Sequence, residues 1–466
     1  MTEVETRFAL FASKMKREGL PPIVVENFRY YFSQLVSGET GMLPESTIAP
    51  VTQLPDAEDL GEREQEIGHI EKQHTVLLKL NGGLGTSMGL EKAKSLLVVK
   101  EGLTFLDIIA RQSIRSGFPL LLMNSFVTQE DSLTQLAAYP ELERGMPLDF
   151  LQHKVPKIES GTLRPASFPA DPDLEWCPPG HGDIYTALTT TGMLTTLLNH
   201  GIRYAFVSNS DNLGAVLDER ILGFFVSQKI PFMMEVADRT PADRKGGHLA
   251  LQQEKGQTRF VLRESAQCPD EDMDAFQDID RHRFFNTNNL WIDLQALKAL
   301  LDETGGYLRL SLIRNAKTVN PREASSTPVY QLETAMGAAI SVFDGAQGLR
   351  VPRRRFSPVK TCDDLLRVRS DATVLDEEFR VIQNPEREGS LPLVKLDPRY
   401  YKLVSDMEAR FPEGPPSMIH CQSLVVEGDV TFGAGVVLEG AVEIQNSSGG
   451  PAKIEPGSVL SGRILI

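Results

Sequence analysis

Cysteine is scarce in this sequence. The four residues, Cys177, Cys268, Cys362 and Cys421, lie far apart in 466 positions and never form a CxxC pair. That spacing argues against a disulfide framework or a cysteine-built zinc site, and predicts buried free thiols in a reducing compartment, the cytoplasm. Basic residues are also in deficit: 48 Lys and Arg against 63 Asp and Glu give a net charge of −15. A chain of that charge lacks the basic face with which proteins hold a nucleic-acid polymer, although a local lysine cluster can still hold a small anion. No stretch approaches the roughly 18 consecutive apolar residues of a membrane span, so no membrane association is expected. The opening MTEVETRFAL has no apolar h-region, and no secretory leader is expected. What is present is the composition of an ordinary globular protein, 41% hydrophobic and 24% charged, long enough for two or three domains.

Three regions follow from the patterning. Residues 1–70 read as a helical N-terminal region, with Phe8, Phe11, Met15, Val24, Phe28, Tyr31 and Leu35 at helical spacing. Residues 71–370 alternate apolar runs (TVLLKL, PLLLMNS, YAFVSNSD, PFMMEVA) with helix-like segments such as TFLDIIARQSIRSG and DIYTALTTTGMLTTLLNHG. Apolar runs without polar alternation predict strands buried on both faces. Their alternation with helices predicts an α/β sheet whose ligand loops lie at the carboxyl ends of the strands. In residues 371–466, Leu424, Val430, Val436, Val442, Ile454, Leu460 and Ile466 fall on a six-residue grid broken only at Ser448. Such a period predicts a hexapeptide β-helix in which each apolar residue stacks on the one below, with an antiparallel sandwich as the alternative. Its expected role is structural, with homo-oligomer formation through its exposed edges.

The run TVLLKL ends in a loop carrying Gly82, Gly83, Gly85 and Gly89, followed by Lys92 and Lys94. No glycine pair has P-loop spacing before Lys-Ser. Gly83, Gly85 and Gly89 give G-x-G-x-x-x-G, one residue too long for a dinucleotide fingerprint, and SLLVV follows too soon for a crossover helix. A glycine-rich loop closing on a lysine would let backbone N–H groups approach a phosphate or base, with Lys94 supplying a point charge. Taken alone, the loop could equally be a chain reversal with both lysines solvated.

The segment Leu80–Gly89, LNGGLGTSMG, resembles the nucleotide loop of the eukaryotic-type UDP-glucose pyrophosphorylases (UTP–glucose-1-phosphate uridylyltransferases). Lys94 and Ser95 match the family's Pro-Lys-Ser, with Ala93 in place of proline. Further motifs follow in family order: NSF at 124, PPGHGD at 178, NSDNLGA at 209, KGGHLA at 245, FFNTNNLW at 284, QLETAMGAAI at 331 and PVKTCDDLL at 358. The resemblance implies a Rossmann-like, GT-A-like nucleotidyltransferase: a mixed α/β sheet flanked by helices, with a C-terminal left-handed β-helix. It also implies transfer of the uridylyl group of UTP to glucose-1-phosphate, giving UDP-glucose and pyrophosphate.

The attacking oxygen in that reaction is already anionic, so positioning, cations and a metal would supply the catalysis. The resemblance places Lys94 and Lys360 at the phosphates as catalytic residues. Asp211 is the expected ligand of Mg²⁺, which accepts a lone carboxylate together with substrate oxygens and water; a turn role is the alternative. Leu80, Asn81, Gly82, Gly83, Gln152, Gly180 and His181 are expected around the nucleotide. There the Gln152 amide, with both donor and acceptor, suits the imide edge of uracil. Asn209, Asn212, Gly247, Asn286, Asn288 and Glu333 are expected around the sugar. Arg353 to Arg355 read as a solvated or subunit-facing patch, and Arg322 stands where related sequences often have lysine. A broad-specificity UDP-sugar pyrophosphorylase and a non-catalytic sugar-nucleotide-binding relative are the alternatives. An N-acetylhexosamine enzyme is disfavoured by Thr86-Ser87-Met88, since that branch carries arginine in this loop.

Overall fold

The computed structural model describes residues 3–254 and 256–466. Its centre is a ten-stranded mixed sheet. Strand Thr75–Asn81 runs parallel to Leu120–Asn124 on one side and to Tyr204–Asn209 on the other. Asp149–Leu151 extends the parallel part. Beyond Tyr204–Asn209 the sheet turns antiparallel through Phe284–Asp293, which pairs with both Phe232–Asp238 and His248 of the next hairpin.

The uninterrupted apolar runs do line two faces. Val76, Leu78, Leu121, Met123, Ala205 and Val207 enter one core. Their sequence neighbours Leu77, Leu120, Leu122, Tyr204 and Phe206 enter another on the opposite side. Successive side chains of a strand point to opposite faces, so a strand covered on both sides must be apolar throughout. Helix Phe105–Ser116 covers one of these faces. Its start is fixed by a Thr104/Asp107 capping box and its end by Gly117 in the left-handed region, φ 82°. The stretch from Ile184 to Asn199 forms two helices rather than one, Ile184–Thr190 and Met193–Asn199, because Gly192 turns left-handed at φ 75° between them.

Helices Glu3–Arg17 and Pro22–Val36 bury the predicted Phe8, Phe11, Met15, Val24, Phe28, Tyr31 and Leu35 in one cluster. That cluster also takes in Val155, Ile158, Cys177, Leu312 and Leu332, so the helical pair is seated on the main body. Among the described residues no helix is long and apolar enough to cross a membrane. All four cysteines are buried free thiols.

The C-terminal part is built of stacked parallel strands rather than an antiparallel sandwich. Leu393–Leu396, Cys421–Glu427, Val437–Gln445 and Val459–Leu465 form one sheet, and Val430–Phe432 with Ala452–Ile454 a second. The six-residue grid holds where Leu424 stacks on Val442. After the Asn446–Gly450 loop the register shifts, and Ile454 pairs with Phe432 and Leu460 with Leu438. The break at Ser448 is therefore an insertion that lengthens one coil and moves the later apolar residues onto a neighbouring inward series.

Candidate functional site

Leu80, Asn81, Asn209 and Asp211 lie at or just beyond the carboxyl ends of two paired parallel strands, and Gln152 lies just beyond a third. From Thr75–Asn81 the chain enters the glycine loop, where Gly85 and Gly89 are left-handed at φ 67° and 77°. A Cβ on Gly85 would stand 3.2 Å from Lys94 Cγ, and the Lys94 N–H donates to Gly83 O at 3.0 Å. The loop thus curls back on its own lysine. The Lys94 ammonium meets Asp211 Oδ2 at 2.6 Å, the carboxylate having come from the end of the neighbouring strand. Asp211 Oδ1 is buried and without a hydrogen-bond partner. A buried carboxylate oxygen with no protein partner is the kind of hard donor that Mg²⁺ accepts alongside substrate oxygens and water.

Gln152 follows the edge strand Asp149–Leu151 and lies against Gly82, where a Cβ would come within 2.6 Å of its Nε2. Only a glycine permits that approach. Leu80 contributes its backbone, its carbonyl accepting from Ser210 N–H. The Asn81 side chain turns inward instead, donating to Asn124 Oδ1 and Ser132 Oγ, which leaves only its main chain for a ligand. Gly180, φ 82°, sits where any Cβ would strike Thr334 O at 2.4 Å and approach Glu333 Cβ at 3.1 Å. The adjoining His181 accepts from Met336 N–H through Nδ1. Burial lowers the His181 pKa to about 4, which keeps the ring neutral with Nδ1 as that acceptor.

On the other side, Asn286 and Asn288 are locked to each other. Asn286 Nδ2 donates to Asn288 Oδ1 at 2.8 Å, and Asn288 N–H donates to Asn286 Oδ1 at 2.9 Å. Asn288 is left-handed, φ 57°, at a bulge where the strand register against Phe232–Asp238 slips. Asparagine tolerates that conformation better than most residues, and the bulge re-aims the pair. Gly247 O accepts from Asn286 N–H. Glu333 lies beside Gly180, its pKa raised by burial. Asn209 pairs in register with Leu80 at the strand end.

Lys360 is exposed, and its segment is pinned to the Asp211 loop. Val359 N–H donates to Asp211 O at 3.1 Å, and Asn212 and Pro358 form an antiparallel bridge. Asn212 itself is saturated by the protein. It donates to Asn289 Oδ1 and Arg355 O and accepts from Gly214 and Ser357 N–H groups. Its amide joins two loops and has no free hydrogen-bonding position turned outward.

A scan against family models matches residues 25–439 to the UTP–glucose-1-phosphate uridylyltransferase family. The chain belongs to this family. The Solanum tuberosum uridylyltransferase is 42% identical over 396 residues, covering 83% of this chain and 80% of that protein. The Saccharomyces cerevisiae uridylyltransferase is 41% identical over 415 residues, covering 88% and 81%. A mutant of the Leishmania major UDP-glucose pyrophosphorylase, solved with UDP-glucose, superimposes with a TM-score of 0.93 at 43% identity over the whole of both chains. A Trypanosoma brucei structure does so at 0.90 and 45%, covering 99% of this chain and all of that one.

Two features of this uridylyltransferase-family site escaped the sequence reading. Glu264 lies at the Gly247 backbone, where a Cβ would meet its Oε2 at 2.4 Å, and it is hydrogen-bonded to Asn286. Burial raises its pKa while the charge of Lys360 opposes that rise, so Glu264 links the asparagine pair to the lysine segment. A glutamate in RESAQ carries no signal of this. The arginine patch also needs correcting. Arg354 is exposed, but Arg353 pairs with Asp243, and Arg355 is buried with both Nε and Nη2 on the Glu235 carboxylate, at 2.8 and 2.6 Å. Glu235 further accepts from Asn289 Nδ2 and Trp291 Nε1. This buried network underlies the Asp211 and Lys360 loops.

Proposed function

We propose that this protein transfers the uridylyl group of UTP to glucose-1-phosphate, giving UDP-glucose and pyrophosphate in a reversible reaction. The observation that carries the reading is the meeting of Lys94 and Asp211 at the mouth of the glycine loop, within a chain of this family. The sugar phosphate is its own nucleophile, so the protein's task is to bring two polyanions together and stabilise charge moving onto the leaving pyrophosphate. Lys94 holds a positive charge beside the glycine loop for the UTP phosphates, and Lys360 brings a second from the opposite side for the sugar nucleotide.

Backbone at Leu80, Asn81, Gly82 and Gly83 seats the nucleotide, Gln152 reads the uracil edge, and Gly180 and His181 close over it. Asn209, Gly247, Asn286, Asn288 and Glu333 surround the sugar, with Asn212 supporting from behind. Asp211 would hold Mg²⁺, whose charge neutralises phosphate oxygens when bound.

The C-terminal coils are read as a left-handed β-helix, a reading supported by their parallel rungs and six-residue spacing. Regions 1–70, 71–370 and 371–466 are taken as its domains. Val459 and Leu465, exposed on the last strand, support self-association there. The four free thiols support a cytoplasmic location.

Pyrophosphate release from UTP and glucose-1-phosphate with Mg²⁺ tests the reading, with galactose-1-phosphate and N-acetylglucosamine-1-phosphate in parallel. Strong release with glucose-1-phosphate alone is expected. Equal release with several sugars would replace it with a broad UDP-sugar enzyme.

A further inference from the structure

The loops that carry Gln152 and His181 leave different elements, yet one polar chain fastens them together. His153 N–H donates to Asp183 Oδ2 at 2.7 Å, and its ring Nδ1 lies 2.9 and 3.0 Å from the two Asp183 oxygens. Its Nε2 lies 3.0 Å from Thr190 Oγ1, which is also 3.0 Å from Thr186 O in the helix. The side chains of His153 and Asp183 are 8% and 2% exposed, so this contact is sealed from water. The Asp183 oxygens face Nδ1 and the Thr190 hydroxyl faces Nε2, so both ring nitrogens are engaged and the imidazole cannot turn without losing both contacts.

Two members of this chain, His153 and Asp183, lie beside residues given to the nucleotide. Gln152 directly precedes His153, and its own N–H donates to Asn124 O at 2.8 Å. Asp183 closes the turn that begins at His181. That turn has no slack: a Cβ on Gly182 would stand 2.3 Å from Thr334 Oγ1, and His181 is tied to Met336 N–H.

Position matters here for a chemical reason. A carboxamide has a donor at one end and an acceptor at the other, and a half-turn exchanges them. A loosely held Gln152 would therefore satisfy the cytosine edge as readily as the uracil edge. Resting on the uridylyl-transfer reading, we propose that the Asp183–His153–Thr190 chain is a positioning device that holds Gln152 and His181 in fixed relation and so sets the base selectivity of the nucleotide site. None of the three touches the reacting atoms.

The test is kcat/KM for UTP and for CTP, each with glucose-1-phosphate, in the wild type and in His153→Ala, His153→Asn, Asp183→Asn and Gln152→Ala. His153→Ala is expected to raise the KM for UTP and lower the UTP/CTP ratio on the order of tenfold, with the KM for glucose-1-phosphate unchanged. His153→Asn, whose amide reaches the place of Nδ1, should recover most of the ratio. Asp183→Asn should lower it in the same direction, and carries the test if His153→Ala does not fold. A purely structural role would lower thermal stability and the rates with both nucleotides alike, leaving the ratio fixed, and that result overturns the proposal. Gln152→Ala separates the two levels: a ratio that falls there but not in the His153 and Asp183 variants overturns this inference alone. A ratio unchanged in Gln152→Ala also removes the base-reading role on which it rests.

Discussion

Lys94 Nζ and Asp211 Oδ2 are 2.6 Å apart although 117 positions separate them in the chain. Both side chains are largely buried, 16% and 18% exposed; Lys94 opens the turn Lys94–Leu96 and Asp211 follows the parallel strand Tyr204–Asn209. The lysine belongs to the glycine loop and the aspartate to the NSDN motif, so two motifs with different expected tasks share one ion pair. The second carboxylate oxygen is buried and stays unpartnered.

Replacing Lys94 by alanine removes a charge placed where the leaving group gains its own. kcat should fall by about 10²–10³, the scale for loss of one preorganised electrostatic partner. Steady-state rates should show this while circular dichroism reports an intact fold. Near-normal turnover would remove Lys94 from the reaction.

Gly82 is set by a close approach, not by its backbone angle. Gly82→Ala puts a methyl group 2.6 Å from Gln152 Nε2, and the flexible amide must move. The KM for UTP should rise with little change in melting temperature. Kinetics and calorimetry on the same preparation check both halves of that expectation.

The Glu235–Arg355 pair should matter for the fold. Removing the carboxylate in Glu235→Ala strands a buried guanidinium and leaves Asn289 and Trp291 donors without their acceptor. Loss of one partner of a buried pair costs about 3–5 kcal/mol. Urea unfolding should show a loss of that size, and Glu235→Gln a smaller one, because the amide oxygen still accepts.

His248 makes stability fall with acid. Its ring is buried, stacked on His282 at 3.9 Å and against Phe276, with both nitrogens unpartnered. Burial, then the nearby His282, Arg239 and Arg263, push its pKa down to about 2, and burial lowers that of His282 as well. A histidine kept neutral in the fold leaves stability intact above its unfolded value near 6.5. Below that pH only the unfolded chain protonates His248, and that ring lowers stability by about 1.4 kcal/mol per pH unit. Urea melts between pH 7 and 5 should show a shallower slope for His248→Gln than for the wild type.

Much of this was legible in one dimension. Strands without polar alternation marked a sheet covered on both sides, and the ordered motifs pointed to loops of which several pairs touch, Lys94 with Asp211 and Gly82 with Gln152 among them. Other features were legible only once the chain was folded. Arg355 looks the same as Arg354 in RRR, yet a 3-10 turn sends one into Glu235 and leaves the other in water. Asn212 sits in a motif expected at the sugar, but its amide is consumed by loops that meet only in space. Glu264 depends on the pairing of His248 with Arg263 and Phe285, which no local spacing encodes. In the C-terminal rungs, periodicity revealed the stacking but could not reveal that the Asn446–Gly450 loop shifts the register.

The most direct test of the account is the reverse reaction. UDP-glucose and pyrophosphate are incubated with the protein and Mg²⁺ and followed by phosphorus NMR. UTP and glucose-1-phosphate should appear together, one for one, as both starting compounds disappear, and Lys94→Ala should slow this by the same factor as the forward reaction. UDP-glucose that remains unchanged, or that yields UMP and glucose-1-phosphate without consuming pyrophosphate, would contradict it.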